Sequence, residues 1–179
     1  IIAFFNTIYT HGMDSSLLKF YTPQHSKKII TTSIFYSILY GFLLSGVLYF
    51  LNQPLQYFNS VSFYSTNKLA FCLLCILFCD MLSSRLMTII RLLEKPFYFL
   101  IVSFINVAAS LYLNIYLIMI LNMGFNGALL SLVGVSLIQL LILSPLMLFN
   151  IKFQQFDCGL LKKMVNFSTP FLPASIFFI

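Results

Sequence analysis

Charge is what this chain has least of. Only 8% of its 179 residues are charged, four acids against ten Lys and Arg, and 60% are hydrophobic, whereas soluble domains carry about 25% charged residues. That scarcity excludes a water-solvated globular surface and makes lipid the expected solvent. Walker loops, HExxH and GxSxG are missing as well, so the segment offers no ATP-driven pump and no familiar hydrolase. The four acids are too scattered for a paired-carboxylate site, and no enzyme is expected. The ten basic residues sit in short loops at helix ends, without the basic face that tracks nucleic-acid phosphates. Cys72, Cys75 and Cys79 fall at i, i+3 and i+7 with no His nearby. Structural zinc needs four ligands, so these thiols read as small buried residues. Neither metal, cofactor nor disulfide framework is expected.

What the chain has instead is long apolar runs. Ile29–Leu51 is 23 residues without a charge, about 34 Å as a helix, enough to cross the hydrocarbon core. Further spans are expected over 69–90, 97–121 and 128–149. A first element over about 1–20 starts apolar and turns polar through THGMDSSLLKFY, reading as the second half of a helix leaving the membrane. It lacks the charged n-region and cleavage site of a signal peptide. A last helix starts at about Met164 and its apolar run, through FLPASIFFI, is too short to span. Residues 1–163 are thus expected to form a partial bundle and 164–179 the start of a further helix, an internal piece of a longer transporter-like protein. Aromatic and β-branched residues are abundant, but an open sheet in lipid would leave backbone groups unpaired, so the fold class is all-α, a polytopic helix bundle.

The loops orient it. Lys19, Lys27, Lys28, Arg85, Arg91, Lys95, Lys152, Lys162 and Lys163 lie on one side and Lys68 alone on the other; by the positive-inside rule the first side is cytoplasmic. Ionisable groups at membrane depth then stand out. Asp80 lies eleven residues from Arg91, close to three turns and so on the same face, yet about 16 Å away along the axis. It belongs to a lumen-facing ladder or pairs with a base on a neighbouring helix. Asp14 presents the same choice, since Lys19 is five residues on and not its i+4 partner. His11 reads as a packed or interfacial histidine. Ser103, Ser110 and Asn114 share a direction on one helix, with Asn106 about 60° aside, a polar stripe that faces other helices or an aqueous cavity. Ser33, Ser37, Gly41 and Ser45, like Gly127 and Ser131, read as small-residue packing grooves. Pro145, Pro170 and Pro173 mark sites of bending.

These segments fall in a familiar order. YTHGMDSSLLKFY resembles the end of the second helix of bacterial lipid-linked oligosaccharide flippases, the O-antigen and polysaccharide exporter family. DMLSSRLMTIIRLLEKPFYF is similar to that family's fourth helix and following loop, FINVAASLYLNIYLIMILNMGFNGALL to its fifth helix and Gly-rich turn, and LLKKMVNFSTPFLPASI to the start of its seventh. The resemblance spans essentially the whole chain. It implies the multidrug, oligosaccharidyl-lipid and polysaccharide exporter superfamily, with two pseudo-symmetric bundles of which this chain would hold most of the first, in a bacterial inner membrane. It implies a lipid-linked glycan as substrate, with membrane lipid, the remainder of the chain and other polysaccharide-assembly proteins as partners. Carried over by position, Lys19, Arg85 and Arg91 become headgroup candidates, Asp14 and Asp80 candidates for ion coupling or structure, and Ser103, Asn106, Ser110 and Asn114 cavity-lining candidates. Lys19 stands where the family often has Arg, and Arg85 where an apolar residue is usual. A multidrug exporter and a glycan polymerase or ligase are the rival readings; the latter would need catalytic residues in a large external loop, and the longest here, 52–68, carries one charge.

Overall fold

A computed structural model describes residues 2–22, 26–58, 66–150, 156–171 and 173. Among them the chain is all-helical: α1 (Ile2–Thr10), α2 (Met13–Phe20), α3 (Ser26–Phe58), α4 (Thr66–Leu92), α5 (Pro96–Asn114) continued by a π-helical segment (Ile115–Ile120), α6 (Gly124–Asn150) and α7 (Cys158–Ser168). Four helices, α3 to α6, are long and apolar enough to cross a membrane, as in a multi-pass membrane protein. Parts of the loops expected at 52–68 and 150–163, and most of the chain beyond Phe171, lie outside the described residues.

Three expectations change. The first element is not one helix but two short ones, because His11 (φ 49°) and Gly12 (φ 60°) are both left-handed, a conformation that ends a right-handed helix. The second apolar run ends at Phe50, as expected, but the helix does not: its backbone continues through the polar NQPLQYF to Phe58. The last helix begins at Cys158, ahead of the expected Met164, so Lys162 and Lys163 stand on it rather than in a loop.

The helix ends are closed by identifiable devices. After α4, Glu94 turns left-handed (φ 52°), and Lys95 N–H donates to the Ile90 carbonyl while Glu94 N–H donates to that of Arg91. This is a Schellman closure made without its usual glycine, and Pro96 starts α5 where a missing N–H costs nothing. Pro145 removes the amide that would bond the Leu141 carbonyl; Ser144 Oγ bonds that carbonyl instead at 2.7 Å, and Tyr98 of α5 donates to the neighbouring Ile142 carbonyl at 2.8 Å. At the opposite end, a Cβ on Gly127 would lie 2.9 Å from the Leu117 carbonyl oxygen, so the absence of a side chain is what lets α6 pack against the π-helical turn.

α7 begins at Asp157, whose carboxylate accepts from Gly159 N–H (2.8 Å) and Leu160 N–H (3.4 Å) and pairs with Lys28 at 2.8 Å. The Lys28 ammonium first, then the two amides, hold this carboxyl below its ordinary range. A lowered carboxyl favours the folded state above its ordinary value of about 3.9 and loses that contribution as pH falls through the lowered one. Asp157→Ala is therefore expected to speed hydrogen exchange at Gly159 and Leu160 at neutral pH, and the difference from the unsubstituted chain should vanish in acid, once the pH has fallen through the lowered carboxyl value. Equal exchange at neutral pH would show that the cap does not hold α7.

The interior has two apolar layers with a polar one between them. Toward the basic end, Met13, Leu17, Ile29, Ile30, Ile34, Leu86, Ile89, Ile90, Leu143 and Met164 join α2, α3, α4, α6 and α7. Toward the other end, Tyr9, Leu77, Met81 and Leu82 join α1 to α4. An apolar groove of about 610 Å³ between α3 and α4, lined by Phe42, Tyr49, Phe71, Leu74, Cys75 and Phe78 among others, holds none of the candidate residues.

Candidate functional site

The polar layer is built on Arg85, the largest fully buried side chain, 1% exposed. A guanidinium sealed from water needs a counter-charge and acceptors for its N–H groups. Nη1 donates to Asp14 Oδ1 at 2.8 Å, Nη2 to the Thr10 carbonyl at 3.0 Å and Nε to Ser37 Oγ at 3.1 Å. Asp14 accepts further from Thr88 Oγ1 (3.2 Å) and Ser84 Oγ (3.3 Å). One side chain of α4 thus ties α1, α2 and α3 together.

The helix break makes this geometry possible. Interrupting a helix frees the carbonyls of its last turn, and two of them find side-chain donors: Thr10 takes Arg85, and Ile8 takes Tyr40 Oη at 3.3 Å. Tyr9 bonds Ser45 at 2.9 Å. Beyond the break Asp14 falls in the first turn of α2, where the helix dipole favours a carboxylate. His11 packs beside Tyr40 and Tyr36, ring centroids 5.2 and 6.1 Å away. From the far side α7 closes on the break: a Cβ on Gly12 would lie 3.1 Å from both the Ser168 carbonyl and Phe171 Cβ, and Ser168 Oγ reaches Met13 Sδ at 3.2 Å.

The sequence candidates are distributed around this centre. Arg85 and Asp14 come together. Asp14's side chain is 33% exposed and Arg85's 2%, so the carboxylate covers the guanidinium. Lys19 and Arg91 are exposed, each resting on an aromatic ring: Lys19 Nζ lies 3.8 Å from the Phe167 centroid and Arg91 Cζ 4.6 Å from that of Phe99. Asp80 forms no ion pair with Arg91 or any other described base; it accepts from Ser136 Oγ of α6 at 2.5 Å. The polar stripe of α5 is divided. Asn114 accepts from Ser131 of α6 at 2.6 Å and approaches Ser110 at 3.5 Å, so that end joins helices, while Asn106 Oδ1 is sealed without a partner and Ser103 is half-buried. Cys72, Cys75 and Cys79 carry free thiols, and among the described residues no group of three or more His, Cys, Asp or Glu could hold a metal.

Sequence reading passed over Ser84, Thr88 and Tyr40 and took Ser37 for a packing residue. Ser84 and Thr88 follow Asp80 at successive fourth positions, and Arg91 comes three after Thr88, so a helical face count would have found them. Ser37 had no such signal, since its partner lies 48 residues away.

Among the described residues, fold and site define an all-helical chain with four membrane-length helices, two of which, α3 and α4, hold a buried arginine–carboxylate pair against the helix break between α1 and α2. No family model, curated protein or solved structure matches the chain.

Proposed function

We propose that the chain is part of an exporter that moves a lipid-linked oligosaccharide from the cytoplasmic to the outer leaflet of a bacterial inner membrane by alternating access, with no covalent chemistry. The observation that carries this reading is the arrangement of charge at the basic end. Lys19 and Arg91 are exposed there, and behind them lies the Asp14–Arg85 layer. Exposed cations on aromatic supports suit an anionic pyrophosphate, since the rings orient the cations without neutralising them. Arg85 has a different part. Its N–H groups are engaged by Asp14, Thr10 and Ser37, which supports a structural role at the helix break rather than direct headgroup contact. A broken helix with side-chain partners for its freed carbonyls also suits transporters, which tolerate irregular backbone where protein surrounds it.

In the full-length protein, Lys19→Ala with Arg91→Ala is expected to lower glycan export about tenfold or more, the loss of two charge-assisted contacts, while leaving the folded amount in the membrane unchanged. Undiminished export by the double variant would refute the headgroup assignment. A multidrug exporter is the second reading, favoured by Asp80: an acid in an apolar span with no basic partner among the described residues suits a cationic substrate. Export of a lipophilic cation, lost in Asp80→Asn while glycan export is absent throughout, would select it.

A further inference from the structure

α3 and α4 touch and then part. At Gly41 an added Cβ would lie 2.8 Å from Met81 Cε and 2.9 Å from the Phe78 ring, whereas five residues on, at Gly46, it would meet nothing within 4 Å. Two helix faces line the gap that opens. α3 gives Phe42, Gly46 and Tyr49, at i, i+4 and i+7, and α4 gives Phe71, Leu74 and Phe78, at i, i+3 and i+7. Seven residues make the groove about 10 Å long, and its volume is about 610 Å³. The Phe42 and Phe78 rings, centroids 5.0 Å apart, close one end. The other end points away from the basic side, since α3 runs outward from Lys27 and Lys28 and Tyr49 stands one residue before its apolar span ends at Phe50.

Size and chemistry together select the occupant. Among the described residues no Asp, Glu, Lys, Arg or His lines the groove, and the Ser45 hydroxyl at its wall is taken by Tyr9 at 2.9 Å. A charged headgroup therefore finds no partner inside. Left empty, the gap forfeits the dispersion contacts of its walls, and the bilayer core supplies hydrocarbon rather than water to fill it. A helix from a second copy is too thick: at 10–12 Å across, a 10 Å length of it occupies roughly 800–1,200 Å³. A hydrocarbon chain fits. It enters from the open end, where the amphipathic Tyr49 ring suits the headgroup level, and so comes from a lipid of that leaflet. The candidate pyrophosphate contacts, Lys19 and Arg91, lie at the opposite end, which favours an ordinary phospholipid over a polyprenyl carrier.

We propose that this groove seats one acyl chain of a phospholipid from the leaflet opposite the basic end, a bound lipid rather than passing solvent. The site rests on the membrane-length helices and not on the transport reading above.

The test uses the full-length protein in phosphatidylcholine vesicles doped with a phosphatidylcholine carrying a photoreactive diazirine on one acyl chain, with labelled residues mapped by mass spectrometry. Label is expected to concentrate at Phe42, Leu74 and Phe78 over Phe104 and Leu111, exposed positions of α5 that meet lipid without a groove. Gly46→Phe places a ring in the gap and should lower the groove label about tenfold, as when a chain loses the burial of about two methylenes, while the α5 label stays unchanged. Should Gly46→Phe fail to fold, Leu74→Trp fills the groove from the α4 side. Equal labelling of groove and α5 without substitution, or an undiminished groove label in a folded filling variant, overturns the proposal. Loss of the groove label to added polyprenyl phosphate but not to an equal amount of unlabelled phosphatidylcholine would overturn the acyl-chain assignment. No glycan enters this measurement, so its failure and the failure of the transport reading are separate results.

Discussion

Asp14→Ala is expected to cost about 3–5 kcal/mol of folding stability, the usual loss when one member of a buried ion pair is removed. The cost arises at Arg85, not at Asp14. The guanidinium is 2% exposed and cannot reach water, so without the carboxylate it is left as an uncompensated buried charge. The reverse change, Arg85→Met, should cost less, because Asp14 is one-third exposed and keeps Ser84 and Thr88 as donors. The double variant Asp14→Ala with Arg85→Met should recover much of the loss, since an apolar replacement of a buried pair is often close to neutral. Unfolding of the four proteins in mixed micelles would measure the cycle. An Asp14→Ala protein within about 1 kcal/mol of the unsubstituted one would mean that water reaches Arg85 and that the polar layer is not sealed.

Gly12→Val should strike the backbone of the helix break itself, at a cost of about 2–4 kcal/mol. Two terms add. A left-handed backbone (φ 60°) is unfavourable for any side chain and worst for a β-branched one. The new Cβ would also meet the Ser168 carbonyl and Phe171 Cβ at 3.1 Å, and the carbonyl belongs to a helix backbone that cannot turn aside. Displacing α7 would pull Ser168 from Met13 and Phe167 from beneath Lys19. The same substitution at Gly46, where an added Cβ meets nothing within 4 Å, is the control. Thermal unfolding of both variants separates them; equal shifts would show that the break tolerates a side chain and that α7 does not depend on it.

The four long helices were legible because their cause is local. Each run of some twenty apolar residues must satisfy its own backbone in lipid, and only a helix does so within one segment. The break at His11–Gly12 was not legible. THGMD reads as a helix turning polar, and nothing in those five residues announces that a guanidinium 75 residues later will take up the Thr10 carbonyl. Arg85 was undervalued for the same reason. Counted along its own helix it is a lone base near the headgroups, and its burial follows from α1, α2 and α3 closing over it. Asp80 and the α5 stripe were visible as polar positions in apolar helices, but their partners on α6 were not, because periodicity names a face without naming what that face meets.

The amino-acid sequence by itself determined the solvent, the helical class and the side on which positive charge collects, since hydropathy and charge act within one segment and need no partner. Only the tertiary structure decided that Asp14 belongs to Arg85, that Asp80 has no base beside it among the described residues, and which polar faces are spent on packing. Ion pairs and hydrogen bonds between helices depend on depth and rotation, quantities that a single helix leaves open until its neighbours are in place.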